Sequence, residues 1–292
     1  MSGKKRKTEI IRAIKGIGGI ENWALSPPRK GGTCGLVPTL GALHEGHLAL
    51  IRTARRENDR VVVSVFVNPP QFRKKQFRDY PRDLKGDIEK ASSAGADAVF
   101  APKDDDMYPP GFDARIVLPS FFSELKSQKF EWHYRAVLTV VMKLFMLVRP
   151  HNAYFGQKDP HQLVLIEKMV NDFNVPVKIR QCPTVREKSG LARSSRNALL
   201  TDGEKKAATV IYKALKAGRA EILKKGAGHA PKAVAMTKKM ISSQPLARIE
   251  HVEIVDAQTL KPLSKNSRRA LIFAAVWIGG KRLTDNIRFN LS

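Results

Sequence analysis

Two histidines, His44 and His47, stand three residues apart with Gly46 between them, inside the stretch VPTLGALHEGHLALIRTARREN. An apolar segment precedes them and a helical pattern follows, so both imidazoles are predicted at the start of a helix that follows a strand. A helix N-terminus carries unpaired N–H groups and a partial positive charge, and therefore binds anions. Imidazoles placed there can donate to phosphate oxygens, while Gly46 lets a ligand approach the backbone and Gly41 allows a tight turn. The pattern predicts a phosphate site, although two ordinary surface histidines remain the alternative.

This phosphate site would lack a Walker lysine, because the chain contains no GxxxxGK[ST] motif. Other polar residues follow predicted strands in the same way as His44, namely Asn68, Gln71, Gly156–Asp159 and Thr184. In parallel sheets the ligand site lies outside the carboxyl ends of the strands. We therefore expect these residues to gather at one edge of a sheet.

Short apolar segments alternate with helical patterns in the first part of the chain. Strands are predicted at Thr33–Pro38, Val61–Val67, Asp97–Pro102, Ala153–Phe155 and Val177–Cys182, and helices from about Gly46, at Asp83–Ala94, at Tyr134–Val148 and at His161–Phe173. The run VVVSVFV is apolar on both faces, as a central parallel strand is. The alternation predicts βαβ units and an α/β domain with a parallel sheet covered on both faces.

The character of the sequence changes after Pro183. A polar, irregular stretch comes first, and Thr201 with Glu204 then forms a capping box that opens a long helix. A second helix is predicted at Pro231–Ser242, and strand patterns follow at Ile249–Asp256 and Ala270–Trp277. We predict a first domain over residues 1–183 and a smaller α+β domain over residues 184–292.

The charge and cysteine content of the chain limit the functions that can be expected. The 292 residues include 52 Lys and Arg against 27 Asp and Glu, a net charge of +25. Such an excess attracts polyanions, but it is spread along the chain, and a solvated basic surface is the simpler interpretation. Contact with nucleic acid is possible on this charge but is not expected to be the function. Two cysteines without a CxxC pattern suggest a reducing cytoplasm.

Membrane and export functions are not expected. No apolar run approaches the length of about 18 residues that a membrane helix needs. The N-terminal stretch MSGKKRKTEI is charged but has no apolar segment after it, so no secretory signal is expected.

Several motifs of the sequence resemble those of a known family. The stretch PTLGALHEGH is similar to the PTMGALHEGH motif of the pantoate–β-alanine ligases, which belong to the HIGH-type nucleotidyltransferase group. Further similar motifs follow in order: FVNPPQF, YPRDLKGD, HYRAV, AYFGQKD, PTVRE, GLARSSRN and RLTDNI. Each motif alone is weak, but their order and spacing from about residue 36 to residue 287 make chance an unsatisfactory explanation.

The resemblance implies a fold and a reaction. The first domain would be Rossmann-like and would bind ATP and pantoate, and the smaller α+β domain would close over the nucleotide. The pantoate carboxylate would attack the α-phosphate of ATP to give pantoyl adenylate and pyrophosphate. The amine of β-alanine would then give pantothenate and AMP. The family also implies a Mg²⁺ requirement and a homodimer.

The resemblance assigns ATP contacts to three segments. The catalytic candidates are His47, as the presumed proton donor, together with His44 and Lys158, whose ammonium would neutralise phosphate charge. Ser194, Ser195 and Arg196 resemble a flexible loop that grips the nucleotide. The whole predicted ATP set is Leu40, Gly41, Ala42, Leu43, His44, Glu45, Gly46, His47, Gly156, Gln157, Lys158, Asp159, Val185, Arg193, Ser194, Ser195 and Arg196.

The family pattern also implies contacts to pantoate and β-alanine. An amide offers both a donor and an acceptor, which suits a substrate with hydroxyl and carboxylate groups. Asp87 matches an acidic position implicated in Mg²⁺ binding, although a plain helix-surface carboxylate is an equal alternative. The predicted substrate set is Pro38, Thr39, Leu40, Asn68, Gln71, Arg135 and Gln162.

The chain departs from the family pattern at several positions. Leu40 stands where methionine is usual, Gln157 replaces a glutamate, and Ala136 replaces a glycine. Arg193 replaces an apolar residue that normally packs near the adenine, and the basic loop Arg73–Arg78 replaces a segment that usually contains glycine and acidic residues. These departures concern nucleotide affinity and substrate entry.

Two other functions compete with the ligase. The chain could be a nucleotidyltransferase that stops at an adenylated product, or a non-enzymatic binder of nucleic acid on an old fold. Gln71 and Gln162 favour the ligase, because a plain transferase would not need paired amides in an acid pocket. A nucleic-acid binder would show steeply salt-dependent affinity and no AMP formation.

Overall fold

The computed structural model describes residues 12–26, 32–120, 122 and 130–291. Contacts between residues divide the chain into two units, described separately below. The first contains Met1–Phe155 and Leu165–Cys182, and the second contains Gly156–Val164 and Pro183–Ser292. The division therefore places the GQKD segment with the C-terminal part of the chain. The predicted boundary at residues 183 and 184, with its functional labels, stays a prediction.

The first unit is built on a six-stranded sheet with the order β1-β4-β3-β2-β5-β6. The pairs β1–β4, β4–β3, β3–β2 and β2–β5 are parallel. The strands are β1 (Arg12–Ile14), β2 (Cys34–Thr39), β3 (Arg60–Val65), β4 (Ala98–Phe100), β5 (Asn152–Gly156) and β6 (Lys178–Cys182). The predicted parallel α/β sheet is thus confirmed.

The helices of this part of the chain connect the parallel strands. They are α1 (Ile17–Leu25), α2 (Glu45–Glu57), α3 (Lys74–Arg78), α4 (Leu84–Ser93), α5 (Asp104–Met107), α6 (Glu131–Val148) and α7 (Pro160–Asp172). The central strand β3 buries Val61, Val62 and Val63 completely, as a strand covered on both faces must. Helix α2 turns Ile51 and Ala54 into the same core.

The order of the sheet places the paired histidines at a special position. The chain proceeds from β2 to β3 to β4 in one direction, and β5 then pairs with the other side of β2. The strand order therefore reverses next to β2, and ligands of open α/β sheets bind outside the carboxyl ends of strands at such a reversal. The turn after β2 leads directly into α2, which begins at Glu45.

The second unit contains a separate antiparallel sheet with the order β7-β8-β9. Its strands are β7 (Ala247–Asp256), β8 (Arg269–Ile278) and β9 (Lys281–Asn290), and its helices are α8 (Asp202–Lys225) and α9 (Ala230–Ser242). The predicted capping box is present, since Thr201 accepts from the N–H of Glu204 and Glu204 accepts from the N–H of Thr201. Alanines at 207, 208 and 214 on α8 pack with Ile272 and Val276 of β8.

The smaller α+β region is therefore confirmed, while some elements went unpredicted. Strands β1 and β9, helix α1 and the short helices α3 and α5 have no counterpart in the sequence-based assignment. Within the part of the chain that the structure describes, no helix is both long enough and apolar enough to cross a membrane.

Candidate active site

The paired histidines close the N-terminus of α2 with their own side chains. His44 is the N-cap residue, and its Nδ1 accepts from the N–H of Gly46 at 3.1 Å. The Nδ1 of His47 accepts from the N–H of His44 at 3.3 Å, and the two rings stack with their centroids 4.0 Å apart. Because Nδ1 is the acceptor in both rings, the proton of each neutral imidazole belongs on Nε2. Two Nε2–H donors at a helix N-terminus suit an anionic ligand.

Gly46 has a more local role than the sequence suggested. A Cβ at this position would lie 2.8 Å from Cε1 and 2.9 Å from Nδ1 of His44. The missing side chain therefore makes room for the capping ring itself. The prediction for Gly41 is confirmed, since its φ of 84° lies in the left-handed region that glycine adopts readily.

Asp87 fixes the turn that leads to the histidines. Its side chain belongs to α4 and is 1% exposed. Oδ2 accepts from the N–H of Ala42 at 2.9 Å, and Oδ1 accepts from the N–H of Leu43 at 2.7 Å. Ala42 has a φ of 51°, which is unusual for alanine and needs support from its surroundings. The carboxylate thus holds a strained turn, with both oxygens engaged by backbone amides.

This environment does not fit the metal ligand that the sequence suggested at Asp87. A Mg²⁺ ligand usually faces water and phosphate, because the ion keeps several waters in its shell. Asp87 is buried and already satisfied, and the described residues contain no group of three His, Cys, Asp or Glu side chains that could hold a metal ion.

The turn after β3 carries the predicted substrate amides. Asn68 is fully buried, and its Nδ2 donates to Oε1 of Gln71 at 2.8 Å. Tyr108 donates its hydroxyl to Oδ1 of Asn68. Burial raises the pKa of Tyr108 to about 12, against the lowering effect of the bond to Asn68, so the phenol stays protonated. His133 contacts the carbonyl of Gln71 through Nδ1 at 2.9 Å.

Residues after β2 and β3 therefore meet at one edge of the sheet. Thr39 accepts from the N–H of Gly41 at 3.1 Å and donates to the carbonyl of Ser64 at 2.7 Å, which ties the two strand ends together. Arg135, another predicted substrate contact, pairs with Glu131 one turn earlier on α6 at 3.3 Å. Ala136 is buried, and its carbonyl accepts from Asn68 at 3.3 Å.

In the second unit, a side chain of β9 hydrogen-bonds to the backbone of the segment that contains Lys158. Nδ2 of Asn286 donates to the carbonyls of Gln157 and Lys158, at 2.9 and 3.0 Å. The Lys158 ammonium lies 3.9 Å from the carboxylate of Asp159. Gln162 lies four residues further along on α7 and is half-buried.

The neighbour of Gln162 belongs to a buried polar cluster. Nε2 of His161 lies 2.9 Å from Oε1 of Glu253, and Nε2 of His251 lies 2.9 Å from Oε2. Burial alone would raise the pKa of Glu253, but the hydrogen bonds and charges of the two histidines outweigh it and lower the pKa to about 2. The cluster fixes the first turn of α7 against β7.

The predicted nucleotide loop is a folded hairpin with a short helical end. The N–H of Arg193 donates to the carbonyl of Val185 at 2.9 Å. Ser194 caps a 3-10 helix, Ser195–Leu199, and accepts from the N–H of Arg196 at 3.3 Å. The side chain of Ser195 lies outside the part of the structure that is described.

A cleft in the second unit brings three of the predicted residues together. Its lining includes Lys158, Ser194 and Arg196. Thr284 and Asp285 of β9 also line it. Arg193 is exposed and is not part of this lining. Lysine, arginine and serine residues that line one cleft are types that can bind phosphate oxygens.

Several residues that support this cleft were not predicted from the sequence. Arg186 donates to both oxygens of Asp285, at 2.6 and 2.9 Å. Burial raises the pKa of the Asp285 carboxyl, and the charge and hydrogen bonds of Arg186 oppose that rise. The available signal was the motif RLTDNI itself, which is one of the segments that resemble the family pattern.

The fold and these two sets of residues define a class of protein. A parallel α/β sheet with an imidazole-capped helix start, and a second unit with a cationic cleft, are features of a protein that binds a polyphosphate. The chain belongs to the pantoate-beta-alanine ligase family, whose sequence model matches residues 10–288.

Relatives and solved structures agree with this assignment. The chain is 45% identical to a pantothenate synthetase of Moorella thermoacetica, over 95% of this chain and 98% of that protein. The crystal structure of pantothenate synthetase from Thermus thermophilus matches with a TM-score of 0.86 and 39% identity, over 95% of this chain and 99% of the other.

A further matching structure is a complex with ligands. It is a pantoate-beta-alanine ligase from Francisella tularensis complexed with beta-gamma ATP and beta-alanine, with a TM-score of 0.73 and 34% identity over 94% of this chain and 97% of that one. The family, fold class and enzyme class that the motifs implied are therefore confirmed.

Proposed function

We propose that this chain condenses pantoate with β-alanine at the expense of ATP, through a pantoyl-adenylate intermediate. The observation that carries the proposal is the start of α2, where two imidazoles accept backbone N–H groups through Nδ1 and so carry their protons on Nε2. Family membership over residues 10–288 supports the reaction, and the ATP and β-alanine named for the Francisella relative support the substrates.

In the first half-reaction a carboxylate oxygen of pantoate attacks the α-phosphorus of ATP. The bond from the α-phosphorus to the bridging oxygen breaks, and pyrophosphate leaves with the electron pair. His44 and His47 donate to phosphate oxygens, with His47 as the donor to the developing charge. Lys158 neutralises the phosphates as a point charge, and Ser194, Ser195 and Arg196 accompany the leaving pyrophosphate.

In the second half-reaction the amine nitrogen of β-alanine attacks the acyl carbon of the adenylate. The bond from that carbon to the phosphate oxygen breaks, AMP leaves, and the nitrogen loses a proton to solvent or buffer. The products are pantothenate and AMP, so each pantothenate consumes one ATP.

The remaining assignments belong to the same proposal. The nucleotide is contacted by the backbone of Leu40–Leu43, by Glu45 and Gly46, and by Gly156, Gln157, Asp159, Val185 and Arg193. Pantoate and β-alanine are contacted by Pro38, Thr39, Leu40, Asn68, Gln71, Arg135 and Gln162. Mg²⁺ enters with ATP as part of the MgATP substrate, bound by phosphate oxygens and water, and Asp87 is not assigned to it.

Three further features complete the proposal. The enzyme works as a homodimer and in the cytoplasm. Both cysteines are free thiols, which suits a reducing compartment. Burial raises the pKa of both thiols, that of Cys34 to about 12. We assign the +25 charge to a solvated basic surface, and binding of nucleic acid is not assigned a function.

One assay separates the ligase from its competitors. Protein is incubated with MgATP and pantoate, with and without β-alanine, and pyrophosphate and AMP are followed separately. We expect pyrophosphate release to require pantoate and AMP release to require β-alanine as well. Release of pyrophosphate without β-alanine-dependent release of AMP would identify a nucleotidyltransferase. If neither product formed, the protein would be a non-enzymatic binder.

The role of the paired histidines is tested in the same assay. His47→Ala should lower the kcat of pyrophosphate formation by about 100- to 10,000-fold, the usual range for a proton-donating group. A matched surface variant, His229→Ala, should keep the wild-type rate, since His229 is a half-exposed residue that pairs with Glu221. Equal rates for both variants would remove His47 from the mechanism.

A further inference from the structure

The motif RLTDNI near the C-terminus has no role in the function described so far, yet two of its residues are almost completely buried. Asp285 and Asn286 are each 4% exposed. Both donors of the Asn286 amide are used on consecutive residues, the carbonyls of Gln157 at 2.9 Å and of Lys158 at 3.0 Å. One amide therefore fixes the backbone from which the Lys158 side chain projects.

Asn286 is itself held by the residue before it. Oδ1 of Asp285 accepts from the N–H of Asn286 at 2.8 Å. Arg186 grips the same carboxylate through two bonds and donates to the carbonyl of Asn286 at 3.2 Å. The backbone and side chain of Asn286 are thus fixed from both sides.

The same arginine reaches the nucleotide loop. Arg186 donates to the carbonyl of Gly190 at 3.1 Å, and its guanidinium lies 3.7 Å above the ring of Tyr212. Gly190 has a φ of 91°, and a Cβ there would lie 2.9 Å from Tyr212. The network Arg186–Asp285–Asn286 therefore connects the hairpin that ends at Ser194 with the segment that carries Lys158.

We propose that Asn286 is a positioning residue for Lys158, and that the Arg186–Asp285 pair sets its orientation. This inference rests on the proposed function, in which Lys158 neutralises phosphate charge as pyrophosphate forms. A lysine ammonium stands on a flexible four-carbon stem, so its placement depends on a fixed backbone. A displacement of about 1 Å at a reacting centre can lower a rate by about 100-fold.

The test uses two variants of Asn286 and one control. Asn286→Ala removes both donors, and Asn286→Asp replaces them with a carboxylate that faces two carbonyls. The control is Glu250→Gln on β7. Glu250 accepts from Trp277 and Arg282 of the same sheet, at 2.9 and 2.8 Å, and none of these three residues lines the cleft. All three variants change partly buried polar contacts of the same sheet, so the control accounts for a general loss of stability.

We expect Asn286→Ala to lower the kcat of pantoate-dependent pyrophosphate formation by about 10- to 100-fold and to raise the KM for MgATP. The KM for pantoate should change less than about twofold. Asn286→Asp should be at least as impaired, while Glu250→Gln should keep kcat within about twofold of the wild type. Thermal melting shows which variants are folded, and the alanine variant carries the test if the aspartate variant is not.

A double-mutant cycle distinguishes positioning from a general structural role. If Asn286 acts through Lys158, then Asn286→Ala should reduce the rate by less than about twofold in a Lys158→Ala background. Equal losses in both backgrounds, or a wild-type kcat for the folded Asn286 variants, would overturn the inference. A wild-type protein that forms no pyrophosphate would instead overturn the proposed function, so the two failures are distinguishable.

Discussion

Two buried aspartates hold the two segments to which phosphate contacts are assigned, and they do so by different means. Asp87, in the first unit, is 1% exposed and accepts from the backbone N–H groups of Ala42 and Leu43. Asp285, in the second unit, is 4% exposed and accepts from both terminal nitrogens of the Arg186 guanidinium. Backbone dipoles satisfy the first carboxylate, and mainly a side-chain charge satisfies the second.

This difference determines whether the partners of each aspartate can be replaced. The amides around Asp87 converge only when the turn has its strained shape, so the carboxylate and the turn determine each other. The main partner of Asp285 is another side chain, so the two charges can be removed together. Only the N–H of Asn286 and the carbonyls of Gly190 and Asn286 then lose a hydrogen bond. Deleting one member of a buried ion pair is costly, whereas replacing both by apolar groups is often neutral.

The largest predicted effect concerns the ion pair. Asp285→Ala should lower the free energy of unfolding by about 3–5 kcal/mol, because it leaves the largely buried Arg186 guanidinium without its carboxylate. The double variant Arg186→Met/Asp285→Ala should regain part of this loss, because the unpaired charge is gone while the backbone partners at Gly190 and Asn286 stay without their side-chain hydrogen bonds. Urea unfolding of the wild type, the single variant and the double variant measures both values. A double variant less stable than Asp285→Ala would contradict the replaceability of the pair.

The amide-held aspartate should behave differently. Asp87→Ala should lower the free energy of unfolding by about 2–4 kcal/mol. The buried N–H of Leu43 and the partly buried N–H of Ala42 lose their acceptors at about 1–2 kcal/mol each, the lower part of the range for an unsatisfied donor. Pyrophosphate formation should fall with it, because the turn before His44 loses its support. No second side-chain substitution can restore the stability, since the partners are backbone groups. Urea unfolding and the pyrophosphate assay provide the two measurements.

The same residue separates a turn clamp from a metal ligand. If Asp87 holds the turn, the activity lost in Asp87→Asn should be independent of Mg²⁺ concentration once all ATP is complexed. If Asp87 bound Mg²⁺ directly, the variant would need more Mg²⁺ for half-maximal rate and would recover at high concentration. A titration of the rate with Mg²⁺ at fixed MgATP therefore decides between the two roles.

Most of the fold was accessible from the sequence, for physical reasons that particular elements show. The apolar, largely β-branched run at Val61–Val65 is typical of a strand that is buried on both faces. The capping box at Thr201 and Glu204 identifies the start of α8. Strand β1 has three residues, and helix α1 contains Gly18 and Gly19, so neither carries a periodicity long enough to read.

The candidate site was accessible only in part. His44, His47 and Lys158 are visible because their residue types and neighbours indicate chemistry by themselves. The clamp at Asp87 is not, because it depends on a contact between residues 45 positions apart in sequence. The contact from Asn286 to Lys158 spans 128 positions. Such positioning contacts depend on tertiary structure, and a single sequence does not encode them locally.

The smallest predicted effect tests whether the His44 cap of α2 contributes to stability and nucleotide binding in addition to the turn that Asp87 holds. Gly46→Ala puts a methyl group 2.8 Å from the nearest atom of the His44 ring, which must rotate and give up its bond from the N–H of Gly46. Loss of an N-cap bond costs about 1 kcal/mol. The KM for MgATP should rise several-fold as well, because the Nε2–H of His44 moves with the ring.

Gly203 of α8 provides a closely matched control. Both glycines are the second residue of a helix that a capping box opens, but a Cβ at Gly203 would meet no atom within 4 Å. Gly203→Ala should therefore stabilise the protein by about 0.4–1 kcal/mol, as glycine replacement does where the backbone permits it. The difference between the two variants isolates the steric conflict with His44 from the general effect of alanine. If Gly46→Ala matched Gly203→Ala in urea unfolding and in MgATP KM, the turn that Asp87 holds would suffice, and the imidazole cap would not determine the geometry of this helix start.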